Sequence, residues 1–142
     1  MAKVEVKRAN GLFGFDAADA NGHVIKIDTS PETGGQNYGV RPMQLLLMGL
    51  GGCSGIDILS ILKKQRQEVV DFQISLEGQR EQGIEPSLWQ SITIVFEITG
   101  NVDQDKAEKA CALSMQKYCS VAATLRKAGS NITWRVVIHP VA

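Results

Sequence analysis

Residues 41–64 read RPMQLLLMGLGGCSGIDILSILKK, and this stretch decides how the rest of the chain is interpreted. Between Arg41 and Lys63 lie 21 residues whose only charged side chain is Asp57. An amphipathic surface helix would carry a polar stripe, which this stretch lacks. Its length suits a membrane span, but its polar residues and four glycines argue against that use. We therefore predict a helix that protein covers on nearly every side.

The sequence also marks the ends of this helix. Pro42 suits the first helical turn, where its missing N–H is not needed, and Lys63 and Lys64 place positive charge at the C-terminal end of the helix dipole. A single chain of 142 residues has too few other residues to cover such an apolar helix on all sides. We expect a second copy of the chain to complete the cover, giving a homodimer, the commonest symmetric arrangement of soluble oligomers.

Alternation of apolar and polar residues before this helix predicts three short strands within residues 4–27. The dipeptide Asn21-Gly22 favours a tight type I′ hairpin turn, since both central positions of that turn need positive φ. Residues 28–40 contain one proline and three glycines, a composition typical of a flexible loop. The N-terminal third is therefore interpreted as strands followed by a loop.

After the helix in the sequence, apolar and polar residues alternate strictly in residues 72–76 and 92–98, which predicts two half-buried strands of an antiparallel pair. A helix that runs to about Tyr118, a second helical segment that starts near Cys119, and a final strand at 132–138 complete the chain. Three strands, a helix, two strands, helices and a strand describe an α+β protein rather than a series of repeated crossover units.

A single domain spanning residues 1–142 is expected, because this length is usual for one domain and no linker or internal repeat divides it. Its three parts are the N-terminal strands and loop (1–40), the central cysteine-containing helix (41–66), and the remaining strands with the second cysteine region (67–142).

Charge and cysteine content exclude several classes of protein. Fifteen Lys plus Arg residues balance fifteen Asp plus Glu residues, so the chain has no global attraction for nucleic acid or for an anionic membrane surface. Three cysteines are too few, and odd in number, for a secreted disulfide scaffold. The first ten residues contain no apolar run of the kind that a signal peptide needs. A cytoplasmic protein without nucleic-acid or membrane partners is expected.

The cysteines carry the most reactive chemistry in the chain. Glycines within residues 49–55 weaken a helix by about 1 kcal/mol each, so either another backbone packs closely there or a ligand approaches Cys53. Cys111 lies among small residues and is interpreted as a packing residue, whereas Cys119 would open a helix whose free N–H groups favour a thiolate. No cysteine or histidine pair has the spacing of a structural zinc site, so no metal site is predicted. The positions of the three cysteines in the sequence do not by themselves indicate which two thiols would react with each other.

Several short segments around Cys53 and Cys119 match a known family. They are Arg41-Pro42-Met43-Gln44-Leu45-Leu46-Leu47, Gly51-Gly52-Cys53, Asp57, Lys117-Tyr118-Cys119-Ser120-Val121 and Ile132-Thr133-Trp134. In these segments the sequence resembles the OsmC/Ohr family of osmotically inducible and organic hydroperoxide resistance proteins, and its glycine-rich helix is most similar to the YhfA-type branch. The resemblance implies an intertwined α+β homodimer in which antiparallel sheets wrap two central helices and the sites lie at the subunit interface.

The resemblance also implies a thiol-dependent peroxidase that reduces organic hydroperoxides. Cys53 would be the peroxidatic thiol, oxidised to a sulfenic acid, and Cys119 would condense with it to a disulfide. An external dithiol, such as one of the lipoyl type, would restore both thiols, so the resemblance implies no cofactor and no metal. Arg41 would hold Cys53 as a thiolate, and Arg8 is the other candidate for this cation.

The sequence departs from the family's active peroxidases directly after Pro42. Those enzymes carry a glutamate there that positions the arginine, whereas this chain has Met43 followed by Gln44. A scaffold that keeps its cysteines without that carboxylate also fits a non-catalytic redox sensor or a protein that binds small apolar ligands. A purely structural dimer with inert thiols is a third interpretation.

Overall fold

The computed structural model of the protein describes residues 1–141, and Ala142, the last residue of the predicted domain, lies outside the described residues. The chain forms two compact units, Met1–Leu46 and the residues from Leu47 onward, with one long helix beginning near the end of the first. The elements are β1 (Val4–Asn10), β2 (Gly14–Asp19), β3 (Val24–Ile27), α1 (Pro42–Lys64), β4 (Glu68–Arg80), β5 (Trp89–Asn101), α2 (Gln104–Leu113), α3 (Ser120–Lys127) and β6 (Asn131–His139).

The first unit is built on an antiparallel sheet in the order β1-β2-β3, as the alternating pattern predicted. The hairpin between β2 and β3 exists, but the type I′ turn was a wrong prediction, because Gly22 has a positive φ of 84° and Asn21 does not. Oδ1 of Asp19 accepts hydrogen bonds from the N–H groups of Asn21 and His23, each at 2.9 Å. This side chain stabilises a wider loop instead of the two-residue turn.

Residues 28–40 are organised around the buried carboxylate of Asp28. It accepts hydrogen bonds from the main-chain N–H groups of Thr29 at 2.8 Å, Gln36 at 2.9 Å and Tyr38 at 3.1 Å. These donors, above all the Gln36 N–H, hold the pKa of Asp28 below its ordinary value. The loop composition alone predicted flexibility and gave no sign of this anchor.

An Asp28→Asn variant is expected to lower the melting temperature at neutral pH, because an amide NH₂ cannot accept these N–H groups. Since the native pKa is depressed, the carboxylate stabilises the fold above its ordinary pKa of 3.8, and this contribution disappears as the pH falls through the native value. Thermal melts from about pH 7 down to about pH 3 should therefore show the two proteins converging. A difference that stays constant over this range, or an equal loss in the exposed-carboxylate control Glu77→Gln, would contradict the assignment.

The second unit contains a sheet in the order β4-β5-β6. β4 and β5 pair antiparallel, as predicted, whereas β6 runs parallel to β5 with Trp134 beside Ile94, so the sheet is mixed rather than wholly antiparallel. The helical segments between β5 and β6 form the crossover that a parallel pair requires. The fully buried side chains of β5 lie in the core of this unit and are Ile92, Ile94, Phe96 and Ile98.

The face of α1 that packs against β4 explains two of its glycines. A Cβ added to Gly51 would lie 3.0 Å from Cδ1 of Leu76, and one added to Gly55 would lie 2.9 Å from Cδ1 of Ile74. Side chains of the sheet therefore approach the helix backbone more closely than an alanine would allow without a shift. Part of the glycine-rich stretch is therefore explained by close packing of the helix against the sheet.

The opposite face of α1 is open within residues 1–141. Met48, Ile56 and Leu59 are 50%, 73% and 42% exposed, and a Cβ added to Gly49 or Gly52 would meet no atom within 4 Å. We call these five residues the open face of α1. The helix is long and apolar enough to span a membrane, with 33% of its most apolar window buried, although core helices of soluble proteins meet the same criterion. Within residues 1–141, one chain leaves this face of the helix uncovered, as the sequence led us to expect.

Candidate functional site

The structure brings Cys53 and Cys119 together with Asp57. The two Sγ atoms and one carboxylate oxygen all lie within 4.8 Å of one another. Cys53 and Asp57 are four residues apart on α1 and therefore share one helix face. Cys119 reaches them from the N-terminal end of α3. The two thiols that spacing left unpaired, and that the family resemblance paired, are thus neighbours. We call these three residues the thiol–carboxylate cluster.

The two sulfur atoms differ in their access to solvent. Cys53 is half-buried and lies at the border of the open face of α1, between the exposed Gly52 and the buried Ser54. Cys119 is only 3% exposed. A small molecule arriving from solvent therefore meets Cys53 more readily than Cys119.

Cys119 is held by the hydrogen bonds of a helix start. It follows a five-residue π-helical turn (Ser114–Tyr118), its N–H donates to the Ser114 carbonyl at 2.8 Å, and its Sγ accepts the Ala122 N–H at 3.4 Å. The prediction that Cys119 begins a helix is confirmed. Burial nevertheless raises the pKa of its thiol to about 11, with Cys53 adding to the rise, and this outweighs the Ala122 N–H. The expected preference for a thiolate is therefore wrong for Cys119 in the reduced protein.

Ser114 connects α1 to the segment that carries Cys119. Its Oγ donates a hydrogen bond to Oδ2 of Asp57 at 3.0 Å, while its carbonyl accepts the Cys119 N–H. The sequence singled out Asp57 only as a residue shared with the family and gave Ser114 no role. Asp57 could have been placed beside Cys53 from helix periodicity, since it is the one charge in a 21-residue stretch and lies one turn away.

Cys111 takes no part in this cluster. Its side chain is fully buried, and burial, with a smaller effect of Glu108, raises the pKa of the thiol to about 12. A thiol that is neither exposed nor ionised is chemically inert at neutral pH. The interpretation of Cys111 as a packing residue is confirmed.

Arg41 and Arg8, the two candidate cations, both belong to the first unit. Arg41 donates from Nη1 to the Gly39 carbonyl at 2.8 Å and from Nη2 to Oδ1 of Asn37 at 3.4 Å. Arg8 lies exposed on β1. The Asp57 carboxylate of the second unit lies beside the sulfurs, and a cationic partner for Cys53 stays a prediction.

A cleft of about 450 Å³ opens beside the cluster, within the size range of small-molecule sites. Asp57 belongs to both the cleft wall and the thiol–carboxylate cluster, so the cleft gives solvent and small solutes a route to the Asp57 side chain. The remaining walls combine two aliphatic side chains and one aromatic side chain with one cation and two uncharged polar side chains. These lining residues are Ser60, Ile61, Lys64, Gln65, Leu113 and Tyr118.

Comparison with known proteins agrees with this geometry. A family model described as OsmC-like protein matches residues 34–135. Protein YhfA of Escherichia coli K12 is 41% identical over 132 residues, covering 92% of this chain and 93% of that protein. A hypothetical protein from Aquifex aeolicus VF5, known from its crystal structure, matches with a TM-score of 0.82 at 34% identity over 98% of each chain. An organic hydroperoxide resistance protein OsmC from Legionella pneumophila shares the fold, with a TM-score of 0.73 at 18% identity over 96% of each chain. The chain therefore belongs to the OsmC-like protein family.

Proposed function

We propose that this chain is a thiol-dependent peroxidase that reduces organic hydroperoxides. The observation that carries the proposal is the pair of free thiols, Cys53 and Cys119, with sulfur atoms within 4.8 Å of each other in an OsmC-like protein. A disulfide has an S–S length of about 2.05 Å, so the two sulfur atoms must approach each other by up to about 2.8 Å to form the bond. The reaction as written below requires no resident cofactor.

The reaction begins with the Cys53 thiolate attacking one oxygen of the hydroperoxide. The O–O bond breaks, the alkoxide leaves and takes a proton to become an alcohol, and Cys53 is oxidised by two electrons to a sulfenic acid. Cys119 then attacks the sulfenic sulfur, forming the disulfide and releasing water. An external dithiol of the lipoyl type reduces the disulfide by exchange and is itself oxidised to a disulfide.

Exposure supports this order of roles. Cys53 is half-buried beside an exposed helix position, which suits the thiol that meets the substrate. Cys119 is buried, which suits the thiol that reacts second. As the Cys119 sulfur attacks, its proton leaves and combines with the hydroxide that leaves the sulfenic acid, so the second step releases water.

We further propose that Arg41 supplies the positive charge that holds Cys53 as a thiolate. A cation is needed because only the thiolate form of a cysteine is a strong nucleophile. Both groups that Arg41 contacts by hydrogen bonds, the Gly39 carbonyl and the Asn37 amide oxygen, are neutral. These hydrogen bonds orient the guanidinium. Besides the main-chain hydrogen bonds to the Asp28 and Glu32 carboxyl groups, its positive charge also lowers the pKa values of these two groups.

The proposed active form is a cytoplasmic homodimer in which a second copy covers the open face of α1. Gly49 and Gly52 have no contact within the described chain that calls for a glycine, whereas close approach of another helix would. The apolar side chains beside them would leave water on association. Three free cysteines in one chain suit a reducing compartment.

The test is treatment of the reduced protein with one equivalent of cumene hydroperoxide, followed by proteolysis and mass spectrometry. We expect a Cys53–Cys119 disulfide, a free Cys111, and full recovery of both thiols with dihydrolipoamide. An Arg41→Gln variant should form the same disulfide more slowly, because less Cys53 is ionised. Absence of the disulfide, or one that includes Cys111, would refute the proposal.

A non-catalytic redox sensor is the second candidate, and Asp57 is the observation in its favour. Asp57 places a carboxylate beside both sulfurs, and the glutamate expected of an active peroxidase is replaced by Met43 and Gln44. A sensor would form the same disulfide slowly, so with excess dithiothreitol it would consume hydroperoxide only at that slow rate of oxidation. Consumption many times faster than the uncatalysed reaction of dithiothreitol with the hydroperoxide would exclude the sensor.

A further inference from the structure

The thiol–carboxylate cluster has the composition of a metal site as well as of a redox pair. In a tetrahedral zinc site, with Zn–S of about 2.3 Å and Zn–O of about 2.0 Å, neighbouring ligand atoms are about 3.5–3.8 Å apart. The corresponding atoms of Cys53, Asp57 and Cys119 lie within 4.8 Å of one another. Closing the cluster on a metal ion therefore moves its ligand atoms by no more than about 1 Å.

Hydrogen bonds orient two of the three ligands. The Ser114 hydroxyl donates to Oδ2 of Asp57, and a carboxylate has further lone pairs free to bind a metal. The Ala122 N–H donates to Sγ of Cys119. Groups that hydrogen-bond to a metal-ligating side chain in this way fix its orientation and raise the affinity of the site for the metal. The adjoining cleft, whose wall includes Asp57, provides a path for a hydrated ion.

The donor set selects the class of metal. Two sulfur ligands favour borderline or soft ions such as Zn²⁺ over the hard ions Mg²⁺ and Ca²⁺, which prefer oxygen. Three protein ligands leave a fourth tetrahedral position for water. The sequence gave no sign of this site, because two ligands are four residues apart on one helix and the third comes from a different helix. The common sequence spacings of structural zinc sites join only cysteines and histidines.

We propose that the reduced protein binds one Zn²⁺ per chain through Cys53, Asp57 and Cys119. When the metal binds, it replaces the protons of both thiols. The metal-bound form and the disulfide form therefore exclude each other, because the sulfur atoms of a disulfide are bonded to each other and are not thiolates. This inference concerns the reduced protein and does not require peroxidase activity.

The test is titration of the reduced protein with Zn²⁺ against a chromophoric chelator, and with Co²⁺ as a spectroscopic probe. We expect one equivalent to bind and the cobalt form to show a thiolate-to-metal charge-transfer band in the near ultraviolet. Asp57→Asn should weaken binding at least about tenfold, whereas the exposed-carboxylate control Asp105→Asn and the buried-thiol control Cys111→Ser should bind as the parent does.

A second arm needs no substitution. Diamide oxidises the neighbouring thiols without hydroperoxide chemistry, and the oxidised protein should lose the charge-transfer band and release the metal. Circular dichroism checks that each variant is folded. Binding that persists in the diamide-treated protein, is unchanged in Asp57→Asn, or shows no thiolate band would overturn the proposal. Because none of these readouts measures turnover, a failure of the peroxidase proposal leaves them interpretable.

Discussion

A Cys53→Ser variant is expected to consume cumene or tert-butyl hydroperoxide no faster than buffer that contains the same dithiol. A serine hydroxyl is not ionised at neutral pH and cannot replace a thiolate as the nucleophile. Loss of hydroperoxide, followed by a ferrous-ion dye assay with dihydrolipoamide as reductant, measures the effect. Because Cys53 is the proposed site of the first step, its replacement should have the largest effect on turnover of any single substitution.

Two further cysteine variants make this result specific. Cys111→Ser should retain the parental rate, because Cys111 is buried away from the thiol–carboxylate cluster. Cys119→Ser should still be oxidised once, leaving a Cys53 sulfenic acid that dimedone traps. Parental activity in folded Cys53→Ser, or equal losses in the Cys53 and Cys111 variants, would disprove the assignment of Cys53.

An Ile56→Lys variant is expected to convert the proposed homodimer into a monomer. Ile56 is 73% exposed within one chain, so the substitution should change the stability of a single chain by no more than about 0.5 kcal/mol. In a symmetric dimer built on the open face of α1, it would bury unpaired charge from both copies, a penalty of several kcal/mol. Since about 1.4 kcal/mol is a tenfold change, the dissociation constant should rise by at least about a hundredfold.

Sedimentation equilibrium over a range of protein concentrations measures this change. Ile84→Lys is the matched control, because Ile84 is 54% exposed in the loop between β4 and β5 and lies off α1. The control should sediment as the parent does. A monomeric parent, or an Ile56→Lys variant with an unchanged dissociation constant, would show that another surface or no surface pairs the chains.

Much of the fold was predictable because local patterns dictate it. The low charge of residues 42–62 indicated a central helix, and its observed bounds, Pro42–Lys64, match the predicted proline start and lysine end. Strict alternation indicated β4 and β5, and their antiparallel pairing is confirmed. The turn at Asn21-Gly22 was mispredicted because turn propensity considers the dipeptide alone, whereas the carboxylate of Asp19 stabilises a wider loop.

The candidate site was predictable only in part. Helix periodicity places Asp57 one turn after Cys53, but no local pattern brings Cys119 to them. Its approach depends on the π-helical turn, on the Ser114 hydrogen bonds, and on packing of the helices against the sheet. The raised pKa of Cys119 likewise follows from burial, which the helix-start position alone did not predict. The resemblance to a family supplied the pairing that spacing could not.

Two different groups of Ser114 act on the position of Cys119 and on the Asp57 carboxylate, so the two effects can change independently during evolution. Its carbonyl, which any residue would provide, accepts the Cys119 N–H, whereas its hydroxyl alone donates to Asp57. A descendant with alanine at this position would keep the main-chain anchor of Cys119 and release the carboxylate from its donor. The electrostatics around the thiols can therefore drift between related chains by one substitution, without any change in the backbone that positions them.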